Sequence, residues 1–179
     1  KPPFTGGFFF YNFNILNTKI KIIVNVYDLK LAKQKIQDYC AYQERCHQEV
    51  SSKLKSWGLI PDAIDMLLGE LMQHKFVNEE RYARSFARGK FRIKKWGRIK
   101  IRLELKKKGV YLKCIDFAMQ EIEDKAYFDT LKELLQKKSR LVKEPNSFKK
   151  KIKLKRYLVS RGFEFDLILL AMEDISIQH

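Results

Sequence analysis

The chain has 179 residues, 45% of them hydrophobic, which is enough apolar material for one or two packed domains and argues against a disordered tail. Lysine and arginine number 37 against 21 aspartate and glutamate, so the formal net charge is +16. This excess favours a polyanionic partner, either nucleic acid or an acidic membrane surface, and does not determine a fold.

The N-terminal segment, residues 1–27, contains an apolar stretch that asparagine and lysine interrupt repeatedly. These interruptions argue against a membrane span, and the clean apolar centre and small-residue cleavage site of a signal peptide are both missing. Residues 19–26 alternate partly with a period of two. We expect an extension that is either a short strand or disordered, and we assign it no function.

The three cysteines, Cys40, Cys46 and Cys114, are an odd set without a CxxC pair. Their spacing predicts neither a disulfide framework nor a zinc site, and His47 beside Cys46 does not complete a common metal-binding pattern. We therefore expect packed or exposed thiols, no metal, no cofactor, and a location in the reducing cytoplasm.

Three stretches align without gaps on a glycine: KLKSWGLIPDAIDMLLGEL at Gly58, ELKKKGVYLKCIDFAMQEI at Gly109 and YLVSRGFEFDLILLAMEDI at Gly162. In each stretch, apolar residues follow helical spacing on both sides of the glycine. Glycine ends a helix readily because it adopts the left-handed conformation without steric cost. Each stretch therefore predicts a helix, a glycine turn and a second helix.

The glycines lie 51 and 53 residues apart, which leaves room for one further helix in each unit. In the middle unit Asn78 is a good N-cap for this helix. An apolar stripe follows, made of Tyr82, Ala83, Phe86 and Ala87. In the first and third units the corresponding helix is expected at about 28–45 and 124–141.

These patterns predict an all-α fold built from three tandem three-helix repeats, which form an elongated, curved array. We place the repeats at 28–77, 78–123 and 124–179. A unit of this size is marginal alone, so we expect neighbouring repeats to stabilise one another.

The middle repeat holds much of the excess charge, with fourteen lysines or arginines and two glutamates between Glu80 and Lys113. The cations recur at steps of three and four residues, which places them on one face of each of two helices. Like charges at this spacing repel, and almost no acidic residue in the region offsets them, so the pattern indicates an anionic partner. An ordinary solvated face is the alternative interpretation. The candidate contact residues here are Arg81, Arg84, Arg88, Arg92, Lys94, Lys95, Trp96, Arg98, Arg102 and Lys106.

Two aromatic residues, Phe91 and Trp96, lie among these cations. Such rings stack on unpaired bases in some proteins and belong to the core in others, and for Trp96 both interpretations stay open. The third repeat adds a second basic run near Arg161. Its candidate contact residues are Lys150, Lys153 and Arg156.

A helix-turn-helix transcription regulator is the main alternative function, since each repeat has two helices joined by a turn. The helix after the middle turn would then read bases, yet it contributes Asp116 and Glu121, which would meet phosphates. The basic residues precede the turn instead, which suits sequence-independent backbone binding. An enzyme is disfavoured, because the sequence has neither a glycine-rich phosphate loop nor a Ser/His/Asp grouping.

The stretch KFVNEERYARSFARGKFRIKKWGRIKIRLELKKKGV resembles the signature of the RecX family of regulatory proteins. In that signature an aromatic residue and an acidic turn precede R-[YF]-A, a basic helix, a glycine-containing turn and R/K-I-x-x-E-L-x-x-K-G. The upstream YCAYQERCHQEVSSKLKSWGL is similar to the first repeat of the family, and the resemblance covers about residues 29–175. Arg98 departs from the family pattern, since many members have proline there.

The resemblance implies three three-helix repeats, no enzymatic activity, and binding within the groove of the RecA filament. It implies that the chain restrains filament growth, ATP hydrolysis and strand exchange, and so takes part in DNA repair and recombination. The expected partners are the RecA filament and single-stranded DNA, with double-stranded DNA as a further partner. We expect a monomer that does not bind a membrane.

Overall fold

The computed structural model describes residues 29–177 of the chain, with side chains as far as Asp174. Within these residues there are nine α-helices and no strand. The helices are α1 (29–42), α2 (His47–Ser56), α3 (Pro61–Gln73), α4 (Glu79–Lys94), α5 (Arg98–Lys107), α6 (Leu112–Met119), α7 (Asp124–Leu141), α8 (Ser147–Arg161) and α9 (Phe165–Ile177). The predicted all-α repeat fold is confirmed. The expectation for residues 1–27 lies outside the described residues, and the repeat boundaries and the elongated, curved outline stay predictions.

The three aligned glycines end helices as the sequence predicts. Gly58, Gly109 and Gly162 have φ values of +81°, +71° and +88°, in the left-handed region. After each glycine, the next residue donates its N–H to the carbonyl five positions earlier, at 3.2–3.4 Å. This hydrogen bond satisfies a carbonyl at the helix end that has no partner within the helix.

The helices expected ahead of the glycine turns begin close to the predicted residues. Asn78 precedes α4, and its side-chain oxygen accepts a hydrogen bond from the N–H of Arg81 at 2.8 Å. This satisfies one of the four amides that the first turn of a helix leaves without a partner. α7 spans Asp124–Leu141, the range expected from its apolar spacing.

Residues 29–43 and 49–77 form one compact unit. Its helices bury apolar faces around Ile36, Val50 and Leu54, none of which is exposed. Burying an aliphatic side chain of this size stabilises the folded state by about 1.5–3 kcal/mol.

Residues 44–48 and 78–177 belong to the second compact unit, which contains the candidate contact residues. Within it α4 packs against α6, and α7 packs against α9. Tyr127 lies in the core and is 1% exposed. Its ring centre is 5.8 Å from that of Phe91 and 5.1 Å from that of Phe163. These aromatic contacts join the last two repeats into one core.

The turn between α4 and α5 contacts the turn between α8 and α9, and we call this contact the turn junction. The N–H groups of Gly97 and Ile99 donate to the carbonyls of Arg161 and Gly162 at 2.9 and 3.1 Å. The first turn of α5 and the last turn of α8 thereby satisfy each other's unpaired peptide groups. A Cβ on Gly97 would lie 2.0 Å from the carbonyl oxygen of Gly162, so only glycine permits this approach.

Candidate nucleic-acid interface

Three of the four arginines on α4 are engaged by carboxylates. Arg81 pairs with Glu44, which lies before α2, at 2.5 Å. Arg84 and Arg88 both pair with Glu121, which follows α6, at 2.6 and 2.9 Å. The spacing of the arginines along one helix face is therefore matched by acidic groups from other elements.

Mutual neutralisation also appears in the pKa values of this group. The pKa of Glu121 is lowered by the hydrogen bonds that it accepts from Arg84 and then from Arg88. The pKa of Arg84 is raised, first by its hydrogen bond to Glu121 and then by one to Glu80. The expectation that almost no acidic residue offsets this stripe is thus wrong, because the packing of α6 on α4 brings Glu121 to it. The fold therefore accommodates this row of arginines on α4 without an external anion.

The cations on α5 differ in their surroundings. Arg102 pairs with Asp116 on α6 at 2.6 Å, with the Arg102 side chain partly exposed and that of Asp116 largely exposed. An exposed pair of this kind is worth about 0–1 kcal/mol, so a phosphate can replace the carboxylate at little cost. Lys106 is exposed and forms no ion pair within residues 29–177. Of these two side chains, only Lys106 has no ion pair with a described residue that an anion would have to displace.

Arg98 is built into the fold. Its guanidinium donates to the carbonyl of Ile122 at 2.7 Å and to Asp124 at 2.6 Å, and lies 4.4 Å from the ring centre of Tyr127. The backbone N–H of Arg98 donates to the Tyr127 hydroxyl at 2.9 Å, and that hydroxyl donates to Glu164 at 2.6 Å. Burial, the larger cause, and the hydrogen bond to Glu164 raise the pKa of Tyr127. Arg98 thus holds the start of α5 to the start of α7, and its role as a contact residue stays a prediction.

Several predicted contact residues are not engaged by the protein itself. Within the described part of the chain, these side chains make no ion pair and no side-chain hydrogen bond: Arg92, Lys94, Lys106, Lys150 and Arg156. Lys95 ends α4 in the left-handed conformation, with φ +52°. Lys153 pairs with Glu144 at 2.6 Å. These side chains lie on α4, α5 and α8, so each of these helices carries at least one cation without an ion pair among the described residues.

The two aromatic residues among the cations have different environments. Phe91 is 8% exposed and packs in the core, so its interpretation as a stacking residue is wrong. Trp96 packs against the same core but is only partly buried. The Nζ atoms of Lys90 and Lys100 lie 5.1 and 4.7 Å from its ring centre. Trp96 is therefore a packing residue with an exposed portion among cations, and its stacking on unpaired bases stays a prediction.

Lys90 and Lys100 were missed by the sequence argument. Neither falls in step with the arginines of α4 or with the basic row of α5, so helical periodicity does not select them. Lys100 does lie four residues after Trp96, but a turn at Gly97 separates the two, and the contact depends on the turn geometry.

The described residues contain no group of three or more His, Cys, Asp or Glu side chains placed to hold a metal ion. Cys40 and Cys46 are buried free thiols, and Cys114 is a partly buried one. His47 contacts Glu79, with 2.6 Å between Nδ1 and Oε1. Between residues 29 and 177 no helix is long and apolar enough to cross a membrane.

Comparison with known proteins identifies two of the repeats. The family model for the second three-helix domain of RecX matches residues 78–119, and that for the third matches residues 125–172. The crystal structure of RecX from Lactobacillus salivarius superimposes with a TM-score of 0.75 at 25% identity, over 85% of this chain and 99% of that one. A second crystal structure, of a regulatory protein RecX, gives a TM-score of 0.77 at 22% identity, over 88% of this chain and 77% of that one.

Sequence relatives agree with the domain matches. The regulatory protein RecX of Prosthecochloris aestuarii is 30% identical over 148 residues, which cover 83% of this chain and 95% of that protein. The regulatory protein RecX of Bacillus cytotoxicus is 27% identical over 159 residues, which cover 88% of this chain. The chain matches only 59% of the length of the Bacillus protein. From the domain matches and the Prosthecochloris relative together, the chain belongs to the RecX family.

Proposed function

We propose that the chain regulates the RecA recombinase by binding the RecA filament on single-stranded DNA. Binding restrains filament extension, ATP hydrolysis and strand exchange. The observation that carries the proposal is that a RecX-family chain has cations on α4, α5 and α8 that form no ion pair with any residue from 29 to 177. A filament on DNA is a polyanion, and cations that need not give up an existing ion pair bind phosphate most favourably.

The candidate residues differ in whether a phosphate must displace a carboxylate to reach them. Arg92 and Lys106 are primary contacts, because they are exposed and unpaired within the described residues. Arg84, Arg88 and Arg102 are secondary contacts, because a phosphate must displace a carboxylate from each. The proposed partners are the filament, single-stranded DNA and double-stranded DNA. The protein acts as a cytoplasmic monomer without catalytic activity of its own.

Transcription regulation has less support from the geometry. α6, the helix that would read bases, buries Ile115 and Ala118 against the core. The carboxylate at Asp116, on the same helix, is held by Arg102. A recognition helix must present donors and cations to the major groove, whereas α6 presents an acidic group.

A co-sedimentation experiment tests the proposal. RecA filaments assembled on single-stranded DNA are pelleted with the full chain, with single-stranded DNA alone as the reference. We expect the filament to retain more of the chain than DNA does. We also expect R92Q/K106Q to lower retention, and K30Q/K35Q, which removes the same charge from exposed positions on α1, to leave it unchanged. Equal retention by filament and by free DNA contradicts the proposal.

A further inference from the structure

The turn junction exposes part of one aromatic ring between two cations. Trp96 is partly buried, and its ring centre lies 4.7 Å from the Nζ atom of Lys100 and 5.1 Å from that of Lys90. Ammonium groups near an indole face are attracted to its ring quadrupole, but they sit on flexible stems and can move toward a phosphate. The exposed part of the ring is thus bordered by cations that anions attract.

A second ring, on the last turns of α8, has the same arrangement. Tyr157 on α8 is also partly buried, with the Nζ atom of Lys138 at 5.0 Å and the guanidinium carbon of Arg161 at 5.3 Å from its ring centre. Lys138 comes from α7, so two helices contribute the cations. The two rings with their four cations form what we call the aromatic–cation cluster.

Hydrogen bonds hold the two halves of the cluster together. The Arg161 guanidinium that lies over Tyr157 also donates to the carbonyl of Lys94 at 2.6 Å, two residues before Trp96. The Nζ atom of Lys100 lies 3.3 Å from the carbonyl oxygen of Ser160. None of the four cations of the cluster forms an ion pair with a described residue. Within residues 29–177, Glu104 interacts with the charge of Lys100 without forming an ion pair with it: the pKa of Glu104 is lowered first by its hydrogen bond from Lys107 and also by the charge of Lys100.

We propose that the aromatic–cation cluster binds unpaired nucleotides of a single-stranded nucleic acid. Bases stack on Trp96 and Tyr157, and the surrounding cations bind the adjoining phosphates. Stacking platforms combined with cations are the usual means of binding single strands without sequence preference. The inference rests on the proposed function, since it names the ligand of part of the same basic surface.

The geometry favours a single strand over other polyanions. A duplex keeps its bases stacked inside, so it engages the cations and leaves the two rings without a partner. A membrane surface likewise supplies phosphate but no planar group. Only unpaired bases use both parts of the cluster.

A fluorescence titration tests this proposal directly. The chain has two tryptophans, so the W57F variant retains Trp96 as its single reporter. The probes are a short oligothymidylate and an abasic deoxyribose-phosphate chain of equal length and charge. We expect oligothymidylate to quench Trp96 emission and to bind more tightly than the abasic chain, by roughly 5- to 150-fold for each base that stacks. Equal affinity for the two chains, with unchanged Trp96 emission, overturns the proposal.

A pair of charge variants tests where the site lies. Their affinity for a labelled oligothymidylate is measured by fluorescence anisotropy, each in the otherwise wild-type chain. We expect K90Q/K100Q to weaken binding more than K149Q/K151Q, which removes the same charge from exposed residues at the start of α8. We also expect Y157L to lose affinity for oligothymidylate but not for the abasic chain, with its fold checked by circular dichroism. Equal losses in the two charge variants would contradict the placement of the site.

The outcomes separate this inference from the proposed function. If the W57F chain suppresses RecA-dependent ATP hydrolysis but binds both oligonucleotide chains equally, the inference fails and RecA regulation stands. If it binds oligothymidylate through stacking but leaves ATP hydrolysis unchanged, the nucleotide site stands and RecA regulation fails.

Discussion

Replacing Gly97 by alanine tests whether the turn junction joins the last two repeats. Gly97 has φ −75° and ψ 162°, a conformation that alanine adopts freely, so the substitution adds no backbone strain of its own. The added Cβ would lie 2.0 Å from the Gly162 oxygen and 2.4 Å from the N of Phe163. These are backbone atoms, so the two turns must move apart.

The cost follows from the hydrogen bonds that this movement breaks. The N–H groups of Gly97 and Ile99 donate across the junction at 2.9 and 3.1 Å. Each bond contributes about 0.5–1.5 kcal/mol net, and a buried peptide group left without a partner costs about 1–3 kcal/mol. We therefore expect Gly97→Ala to lower the free energy of unfolding by about 2–4 kcal/mol.

Urea unfolding followed by Trp96 emission in a W57F background measures this cost for the second compact unit. The matched control is Gly89→Ala, inside α4, where an added Cβ meets no heavy atom within 4 Å. Alanine there is expected to raise the free energy of unfolding by about 0.5–1 kcal/mol, because it is the better helix former. A Gly97→Ala protein within about 0.5 kcal/mol of its parent would refute the role given to the junction.

Three further predictions concern single contacts. Y127F should destabilise the fold by about 1–3 kcal/mol, since it leaves the N–H of Arg98 without its acceptor. The raised pKa of Tyr127 means that the folded state favours the neutral hydroxyl. In urea titrations the difference in unfolding free energy between wild type and Y127F should therefore be constant below pH about 10 and shrink above it. A difference that stays unchanged above pH about 10 would contradict this prediction. E121Q should lose stability at neutral pH. Because the pKa of Glu121 is lowered in the folded state, this loss should begin to shrink as the pH falls below about 4.3 and vanish below the folded-state pKa. A loss that persists unchanged in acid contradicts the pairing. R92Q/K106Q should reduce the slope of log affinity for single-stranded DNA against log salt by about 1.4 if both residues contact phosphate, and an unchanged slope would exclude both.

The helices and turns of this protein are predictable because their determinants are local. Gly58, Gly109 and Gly162 punctuate apolar residues at helical spacing, and each ends a helix in the left-handed conformation. Asn78 caps α4 for the same kind of reason, since its acceptor lies three residues from the amide that it satisfies. Signals of this kind require no knowledge of which helix contacts which.

The candidate site is predictable only in part, because the state of each cation depends on distant residues. Counting charge finds the basic helices, but Glu121 reaches Arg84 across 37 positions in the sequence. Arg98 forms hydrogen bonds with residues at and just before the start of α7, 24 to 29 positions away. The turn junction brings Arg161 to the carbonyl of Lys94 across 67 positions. Helical periodicity carries no information on such pairings, and so it cannot separate engaged cations from available ones.

The most direct test of RecA regulation is the rate of ATP hydrolysis by RecA from the same source, dependent on single-stranded DNA, at increasing amounts of the chain. We predict suppression at well below one chain per RecA, and suppression that persists when free single-stranded DNA is added after filament assembly. No suppression, or suppression that added DNA removes in proportion, would mean that the chain only sequesters DNA and would contradict the proposed function.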